Sequence, residues 1–556
     1  MKHALILKGG SRSRVLRLAP HAGIVAFVVL TAADLTRSYF ARDEGLYYLE
    51  AQRMLRGEVP YRDFFEFIGP GFLWVVQSLL SLFGEGVVAV RMMLLAVYAA
   101  SACLLYHFAF RLTRRSLLSL LAPLYWVVVA KQATWWAAEH HALSNFGVLV
   151  AGALLLAELD RPRRWTALAI GVVTGLTSLT TQHTGALLGL ASLTLVGLVL
   201  PPSLARGRAQ AGWLALGALV PLVLLLGYLV FHGALSAAVE CLVLWPFTGY
   251  RRFHAEPYFG AGFGEIAQLW STKGVAAWRE LFHLVLVGLG PLVALTLGVA
   301  RLARERIAPS RDPDQVLRSL ERAIVVALAL AMFLSIAPQP SAWAVTQSSA
   351  LSFVVLLDLI TPRASFLIER GEKTLPELRR SPRHAASLMV LVLLSLVLTR
   401  SFRSQARSIR REQARAVMIE TAFGPLRHPD PSTAAEIRAL IDRVRERTTT
   451  DDAILVFHWS PQLYLVTGRR PAVRFSGLLP GYNSAAHFEE VASALRDQGP
   501  KLVIRDRVVE TLVAESDARL LRLGVEASHS ALLDRAAASR YAPELEGPSF
   551  TVLAPR

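Results

Sequence analysis

Long apolar segments alternate with short polar segments over most of this chain. A helix that crosses a bilayer needs about 20 mostly apolar residues, and several segments approach that length. We predict about eleven membrane spans, with the N-terminus inside and the C-terminus outside. The predicted spans are residues 16–35, 92–110, 117–133, 142–157, 165–180, 185–200, 211–231, 282–300, 323–337, 343–360 and 385–398.

The apolar segment 72–83 is treated differently from these spans. It is too short to cross a hydrocarbon core of about 30 Å, and we place it at the outer membrane surface. With this placement the arginine-rich segments 111–115, 161–164 and 301–322 all lie inside, as the positive-inside rule requires. The outer loops then carry the acidic, aromatic and histidine residues.

The chain changes character near residue 401, where polar residues become frequent. We predict a membrane domain over 1–400, a connector over 401–432 and an extracytoplasmic α/β domain over 433–556. Its predicted helices are 434–447, 460–466 and 487–496, and its predicted strands are 453–457, 502–504 and 551–553. This domain contains no GxGxxG or GxxxxGK[ST] motif, so nothing indicates a nucleotide-driven activity.

The distribution of charge argues against a nucleic-acid-binding protein, and the cysteine content argues against a structural disulfide or a cysteine metal site. The formal net charge is +17, but the basic residues lie in short segments between apolar runs, which is typical of loops facing anionic lipid. A nucleic-acid-binding protein would instead concentrate them on one folded face. The two cysteines, Cys103 and Cys241, lie in or beside apolar segments and predict neither a structural disulfide nor a cysteine metal site.

Four polar segments fall on the predicted outer face. The segment 39–70 mixes carboxylates, arginines and aromatic residues, and its leading catalytic candidate is Asp43. Each segment alone is also explained by solvation at the interface, but charged groups near a bilayer are costly and tend to be functional. We therefore expect one shared site. The other three segments are Glu139-His140-His141, Gln182-His183 and residues 245–254.

The sequence resembles a known enzyme family at several of these positions. The matching stretches are DEGLYYLEAQRMLRGEVPYRDFFEFIGPGFLW (43–74), Leu82-Phe83-Gly84 with Arg91, and HWSPQLYLVTGRRP (458–471). They resemble membrane glycosyltransferases of the GT-C fold, in the protein mannosyltransferase family with its RgtA/B/C/D-like and aminoarabinose-transferase-like branches. The resemblance implies a polytopic α-helical membrane protein with a small C-terminal α/β domain.

The family resemblance also implies site residues and partners. Members take a sugar from a polyprenyl-phosphate-linked donor at the outer face. The essential acidic residue of their first outer loop corresponds here to Asp43, with Glu44 adjacent, and a second acidic position corresponds to Glu139. Some relatives have a lysine at the position of Gln182 and His183. The resemblance therefore implies that Gln182 or His183 contacts the donor phosphate in this chain.

The residue types suit glycosyl transfer. An acceptor hydroxyl needs a positioned base, and Asp43 can take its proton; direct displacement inverts the anomeric carbon. Guanidinium groups suit the leaving phosphate, and the candidates are Arg62, Arg251 and Arg252. A last group of polar residues could contact the acceptor or the sugar, or could hold a divalent metal ion. The two adjacent histidines of this group lack the i, i+4 spacing that directs two ligands to one side of a helix. The group consists of His140, His141, Asp63 and Glu66.

Aromatic residues of the outer loops suit either sugar faces or the headgroup level of the membrane, and the membrane interface is the commoner use. These aromatic residues are Tyr47, Tyr48, Tyr61, Trp135, Trp136 and Trp245.

Two other functions remain open from the sequence. One is a transporter or flippase for lipid-linked sugars, which usually shows internal repeats and charges at the membrane midplane. The other is a non-catalytic relative that binds glycans.

For an enzyme the expected partners are a polyprenyl-phosphate-sugar donor, membrane lipids and a glycan, lipid or protein acceptor. We expect it in the inner or plasma membrane, with its site facing the periplasm or cell exterior. The sequence identifies neither the sugar nor the acceptor.

Overall fold

The computed structural model of this 556-residue chain describes most of the sequence. The described residues are 11–32, 39–40, 42–132, 139–200, 203–254, 288–336, 345, 348–369, 403, 407, 410–411, 414–497, 499–524 and 529–556. They form a helical bundle followed by a smaller domain built on a β-sheet.

The helices of the bundle follow the apolar segments of the sequence, because each apolar run buries part of its surface against its neighbours. Segment 235–254, read from the sequence as a loop, forms short helical turns instead, while predicted span 385–398 lies outside the described residues. The helices are α1 (Ser11–Ala32), α2 (Arg42–Leu55), α3 (Gly71–Phe83), α4 (Val88–Thr113), α5 (Ser116–Ser119), α6 (Leu121–Gln132), α7 (His140–Asp160), α8 (Arg164–Thr180), α9 (Gln182–Thr194), α10 (Leu204–Phe231), α11 (Leu235–Val239), α12 (Arg251–His254), α13 (Gly290–Ile307), α14 (Pro313–Ser335) and α15 (Ala350–Glu369).

Membrane-length helices are present in this bundle. Of the described helices, 4 are long and apolar enough to cross a membrane by length and composition: α4, α7, α9 with the π-helical turn that extends it to Val199, and α10. The helix α3 belongs to the shorter apolar helices. The membrane character of the chain is thus confirmed, while the span number and orientation stay predictions.

Arginine–carboxylate ion pairs lie at both ends of the bundle. Near the end of α4, Arg111 binds Asp160 of α7 at 2.8 Å and the fully buried Glu321 of α14 at 2.7 Å. Near the opposite ends of α4 and α7 lie Arg91 and His140. The helix α2 contacts this second end, because its Glu44 side chain reaches Arg91.

Glycines allow α8 and α10 to approach closely. A Cβ atom on Gly171 would lie 2.0 Å from the backbone oxygen of Leu214, and one on Gly217 would lie 2.1 Å from the backbone oxygen of Leu168. Small residues at such positions let helix backbones meet where lipid offers no hydrophobic driving force between helices. This contact fixes the position of α8, whose end supports the candidate site.

The C-terminal domain contains a five-stranded sheet in the order β4-β3-β5-β7-β6. β3 is parallel to both of its neighbours, whereas β7 runs antiparallel to β5 and β6. The strands are β1 (Val417–Thr421), β2 (Gly424–His428), β3 (Ala453–Phe457), β4 (Arg470–Pro471), β5 (Val503–Asp506), β6 (Tyr541–Glu546) and β7 (Phe550–Pro555), and the helices are α16 (Pro431–Arg447), α17 (Gln462–Thr467), α18 (Ala485–Asp497), α19 (Glu510–Arg522) and α20 (His529–Arg540).

A small C-terminal α/β domain is confirmed, and α16, β3, β5 and β7 lie close to their predicted positions. The bounds of this domain and its side of the membrane stay predictions. The segment predicted as a connector holds the hairpin β1–β2, which pairs Val417 with His428 through Thr421 with Gly424. Its Ile419, Phe423 and Leu426 are buried in the same core cluster as α16. A five-residue strand with few alternating apolar positions is a weak signal, and the sequence analysis missed it.

Candidate active site

Asp43 lies at the start of α2. The sequence analysis treated 39–70 as a loop, which is wrong for Arg42–Leu55, because these residues form a helix. Asp43 and Glu44 in its first turn favour a helix N-terminus, and Tyr47, Tyr48 and Ala51 are buried in the core. The exposed Asp43 is therefore carried by a rigid element rather than by a mobile connection.

Glu44, the neighbouring carboxylate, is buried in an ion pair. Arg91 donates to both of its oxygens, from Nε at 2.8 Å and from Nη2 at 2.7 Å. The exposed fractions of Glu44 and Arg91 are 1% and 4%. The hydroxyl of Tyr48 donates to Glu44 Oε1 at 3.3 Å. Glu44 thus joins α2 to α4, and its negative charge is balanced by the guanidinium group of Arg91.

Glu139 directly precedes α7 and lies near Asp43. Burial raises the pKa of Glu139 well above its ordinary value, and the nearby carboxylates of Asp43 and Glu44 raise it further. A nearby like charge disfavours the ionised form of Glu139, whereas Asp43 is exposed to solvent. The expectation that Asp43 and Glu139 share one end of the molecule agrees with this electrostatic contact.

His140, His141 and His183 gather at the same end. The hydroxyl of Tyr47 hydrogen bonds with Nδ1 of His140 at 2.7 Å, and the rings of His140 and His141 lie 4.0 Å apart. His183 is within electrostatic reach of both rings and hydrogen bonds to the backbone of Ser335. Side chains from α2, α7 and α9 therefore meet here.

Gln182, a predicted phosphate contact, is engaged in the protein. Its Nε2 donates to the backbone oxygen of Phe67 at 2.9 Å. A Cβ atom on Gly69 would lie 2.1 Å from the backbone oxygen of Leu179, so the segment after α2 is pressed onto the end of α8. Gln182 positions this segment.

Arg62 and Asp63 form an exposed pair beside the site. Arg62 binds the two carboxylate oxygens of Asp63 at 2.8 and 2.7 Å and donates to the backbone oxygen of His232 at 2.7 Å. The Arg62 hydrogen bonds lower the pKa of Asp63. Of the other predicted phosphate ligands, Arg251 is exposed on α12, and the side chain of Arg252 lies outside the described residues.

Glu66 is buried rather than open to a substrate. Its Oε1 accepts hydrogen bonds from the backbone N–H of Phe67 at 2.6 Å and of Ile68 at 3.0 Å. A second buried carboxyl group, Glu50, lies beside it, and burial raises the pKa of both. The pair joins α2 to the segment that follows it.

The C-terminal domain reaches the site, which the sequence analysis did not foresee. The indole Nε1 of Trp459 donates to Asp43 Oδ1 at 2.9 Å. One residue earlier, Arg42 bonds to Ser460 and to Asp506, each at 3.4 Å. A usable signal existed: HWSPQ directly follows the buried strand β3, and ligand sites of parallel sheets often lie beyond the carboxyl ends of strands.

Aromatic rings extend from Trp459 towards α12. The ring centroids of Trp459 and Tyr482 are 5.3 Å apart, those of Tyr482 and Tyr250 are 5.4 Å apart, and those of Tyr250 and Phe67 are 5.0 Å apart. This Trp459–Tyr482–Tyr250–Phe67 row is the aromatic cluster. The cluster joins the C-terminal domain, the segment before α12 and the segment after α2, and it begins at Trp459, which contacts Asp43.

The aromatic residues selected from the sequence are not part of this aromatic cluster. Tyr47, Tyr48 and Tyr61 are buried, Trp245 packs near Phe65, and residues 135–136 lie outside the described residues.

The sequence also suggested a divalent metal site formed by His140, His141, Asp63 and Glu66. Within the described ranges, no three His, Cys, Asp or Glu side chains come together as metal ligands.

Comparison with known proteins identifies the fold. No family model matches the sequence. No curated protein matches it either. The crystal structure of ArnT from Cupriavidus metallidurans bound to undecaprenyl phosphate aligns with a TM-score of 0.52 and 13% identity, covering 97% of this chain and 98% of that chain. The apo state of the same protein gives a TM-score of 0.51 at 13% identity, covering 98% of each chain.

A weaker similarity links the chain to the Archaeoglobus fulgidus oligosaccharyltransferase in complex with Zn and sulfate. The TM-score is 0.46 and the identity 11%, over 96% of this chain and 73% of that chain. The similarity to the ArnT structures confirms the predicted fold. The chain has the GT-C fold.

Proposed function

We propose that this GT-C-fold chain transfers a sugar from a polyprenyl-phosphate-linked donor to an acceptor hydroxyl at the outer membrane face. Asp43 acts as the general base. The observation that carries the proposal is the state of this one residue: an exposed carboxylate on a rigid helix, at the bundle end where Glu139, His140, His141 and His183 gather. Acidic groups held in this way are suited to proton transfer.

The proposed reaction is a single displacement. The acceptor oxygen gives its proton to Asp43 and forms a bond to the anomeric carbon. The bond between that carbon and the phosphate oxygen breaks, and the electron pair leaves with the polyprenyl phosphate. Attack opposite the leaving group inverts the anomeric carbon.

The surroundings select Asp43 among three nearby carboxyl groups. Glu44 is neutralised by Arg91 and has an exposed fraction of 1%, so an acceptor cannot reach it. Glu139 is buried, and this burial raises its pKa, so its ionised form is disfavoured. A carboxyl group held in its neutral form can donate a hydrogen bond but cannot act as the base.

Arg251 and His183 are the proposed phosphate contacts. Both side chains are exposed, and each lies on a helix that borders the site. Arg62 already uses its donors on Asp63 and His232, and His183 already bonds to the backbone of Ser335, so Arg251 is the leading candidate. A guanidinium group suits the phosphate because it offers two parallel donors to two oxygens. ArnT, whose structure was solved with undecaprenyl phosphate, supports a donor of this lipid class.

A flippase or transporter is less well supported. Such proteins place their substrate and ion sites near the bilayer midplane, at the interface between internal repeats. In the described part of the bundle, the buried Asp358 is instead bound to Arg322 at 2.6 Å and to Arg301 at 3.2 Å. These contacts stabilise packing between α13, α14 and α15.

The proposed function can be tested with the purified protein in liposomes. The donors are undecaprenyl phosphates carrying mannose, arabinose, aminoarabinose or galacturonic acid, each offered with lipid A, a cell-wall glycan or a peptide. We expect release of undecaprenyl phosphate from one donor, dependent on one acceptor, and a product of inverted anomeric configuration. Movement of the donor across the bilayer without turnover would support a flippase, and binding without turnover would support a glycan-binding protein.

A further inference from the structure

We propose that Trp459 of the C-terminal domain positions the carboxylate of Asp43, so that this domain completes the active site. The inference rests on the proposed function. It extends that function by a residue that lies 416 positions from Asp43 in the sequence.

Three successive contacts hold the segment after β3 against the start of α2. Arg42 bonds to Ser460 and Asp506, and Trp459 donates to Asp43. A Cβ atom on Gly45 would lie 2.7 Å from Cβ of Gln462, so the two backbones are in direct contact there. The Trp459 contact is flanked on both sides by others and is therefore fixed in register.

The indole ring is itself held in place. A Cβ atom on Gly477 would lie 2.9 Å from the ring of Trp459, and Tyr482 packs against the ring with centroids 5.3 Å apart. Ser460, the next residue, hydrogen bonds to the buried Asp506. These contacts leave the indole few alternative orientations, so its N–H is preorganised towards Asp43.

A tryptophan N–H suits this task because it only donates. It cannot take a proton from an acid, and it occupies Oδ1 of Asp43 while leaving Oδ2 for the acceptor. Trp459 thus fixes the orientation of the Asp43 carboxylate and so determines which oxygen faces the acceptor.

Docking of the domain alone does not require this hydrogen bond. Gly45 against Gln462, and Arg42 with Ser460 and Asp506, join the same surfaces without it. Removing the indole N–H should therefore alter catalysis without detaching the domain. This difference separates a positioning role from a purely structural one.

The test compares Trp459→Phe with wild type in the undecaprenyl-phosphate release assay over a range of donor and acceptor concentrations. We expect kcat/KM to fall about 10-fold, the scale of one hydrogen bond to a charged group. The fall should lie in kcat with KM unchanged, because the hydrogen bond orients the base and binds no substrate. The control is Trp165→Phe, whose ring is 63% exposed at the start of α8; it should behave as wild type.

The outcomes separate this inference from the proposed function. An inactive Asp43→Asn with an unchanged Trp459→Phe overturns only the inference, as does a Trp459→Phe whose only change is a higher KM. A fully active Asp43→Asn overturns the proposed function itself. If Trp459→Phe does not fold, Gly477→Ala replaces it, because the added Cβ pushes the intact indole away from its present position. The same fall in kcat at unchanged KM is then expected, and its absence contradicts the inference.

Discussion

Removing Arg91 tests the buried ion pair that anchors the helix carrying Asp43. In Arg91→Met, the carboxylate of Glu44 loses two hydrogen bonds of 2.8 and 2.7 Å while its exposed fraction is only 1%. An attraction of about 4 kcal/mol is expected for two charges about 4 Å apart at an effective dielectric constant of about 20. Breaking one buried pair by removing a single partner costs about 3–5 kcal/mol, and we expect a loss of this size in the free energy of unfolding.

The assay is equilibrium unfolding of the detergent-solubilised protein by SDS titration. The double variant Glu44→Gln/Arg91→Met removes both charges, and its loss should be at least about 2 kcal/mol smaller than the sum of the single losses. Arg470→Met is the control, because its partner Asp451 is exposed and such pairs contribute about 1 kcal/mol or less. Strictly additive single losses would refute the ion-pair reasoning.

Two further predictions concern stability. Burial raises the pKa of Glu50 and Glu66, so above about pH 4.3 these two groups bind more protons in the native state than in the unfolded state. Their contribution to the free energy of unfolding is therefore fully present below that pH and is lost as the pH rises towards the native pKa values. Glu50→Gln should flatten the plot of melting temperature against pH and raise its neutral end; an unchanged plot contradicts this. Gly217→Ala should destabilise the protein by about 1–3 kcal/mol, because its Cβ meets the Leu168 oxygen at 2.1 Å, whereas Gly227→Ala in the same helix meets nothing within 4 Å and should not. Equal melting temperatures for the two alanine variants would refute the packing argument.

The fold was largely predictable from the sequence. The length of the apolar segments predicted the helices of the bundle, and short apolar runs such as residues 453–457 predicted the strands of the C-terminal sheet. The helix α2 was missed because its charged residues resemble a surface loop. Its Glu44 and Arg53 are nevertheless buried, and their partners lie in other segments.

The candidate site was predictable in its location but less so in its roles. Asp43 and Glu44 are adjacent in the sequence, yet only contact with Arg91 on α4 decides which of the two is buried. Trp459 could not be connected to Asp43 without knowing how the C-terminal domain docks on α2. Side-chain roles that depend on distant partners are not encoded in local pattern.

The most direct test of the account is sugar transfer by Asp43→Asn. Asparagine keeps the size of the side chain and can accept the Trp459 hydrogen bond, but it cannot take a proton. Asp451→Asn, on an aspartate with a side chain 90% exposed in the C-terminal domain, is the matched control. We measure undecaprenyl phosphate release by both variants in the same liposomes. The account predicts a fall of about 10²–10⁴-fold for Asp43→Asn with an unchanged melting temperature, and wild-type turnover for Asp451→Asn. Wild-type turnover by a folded Asp43→Asn would contradict the central claim.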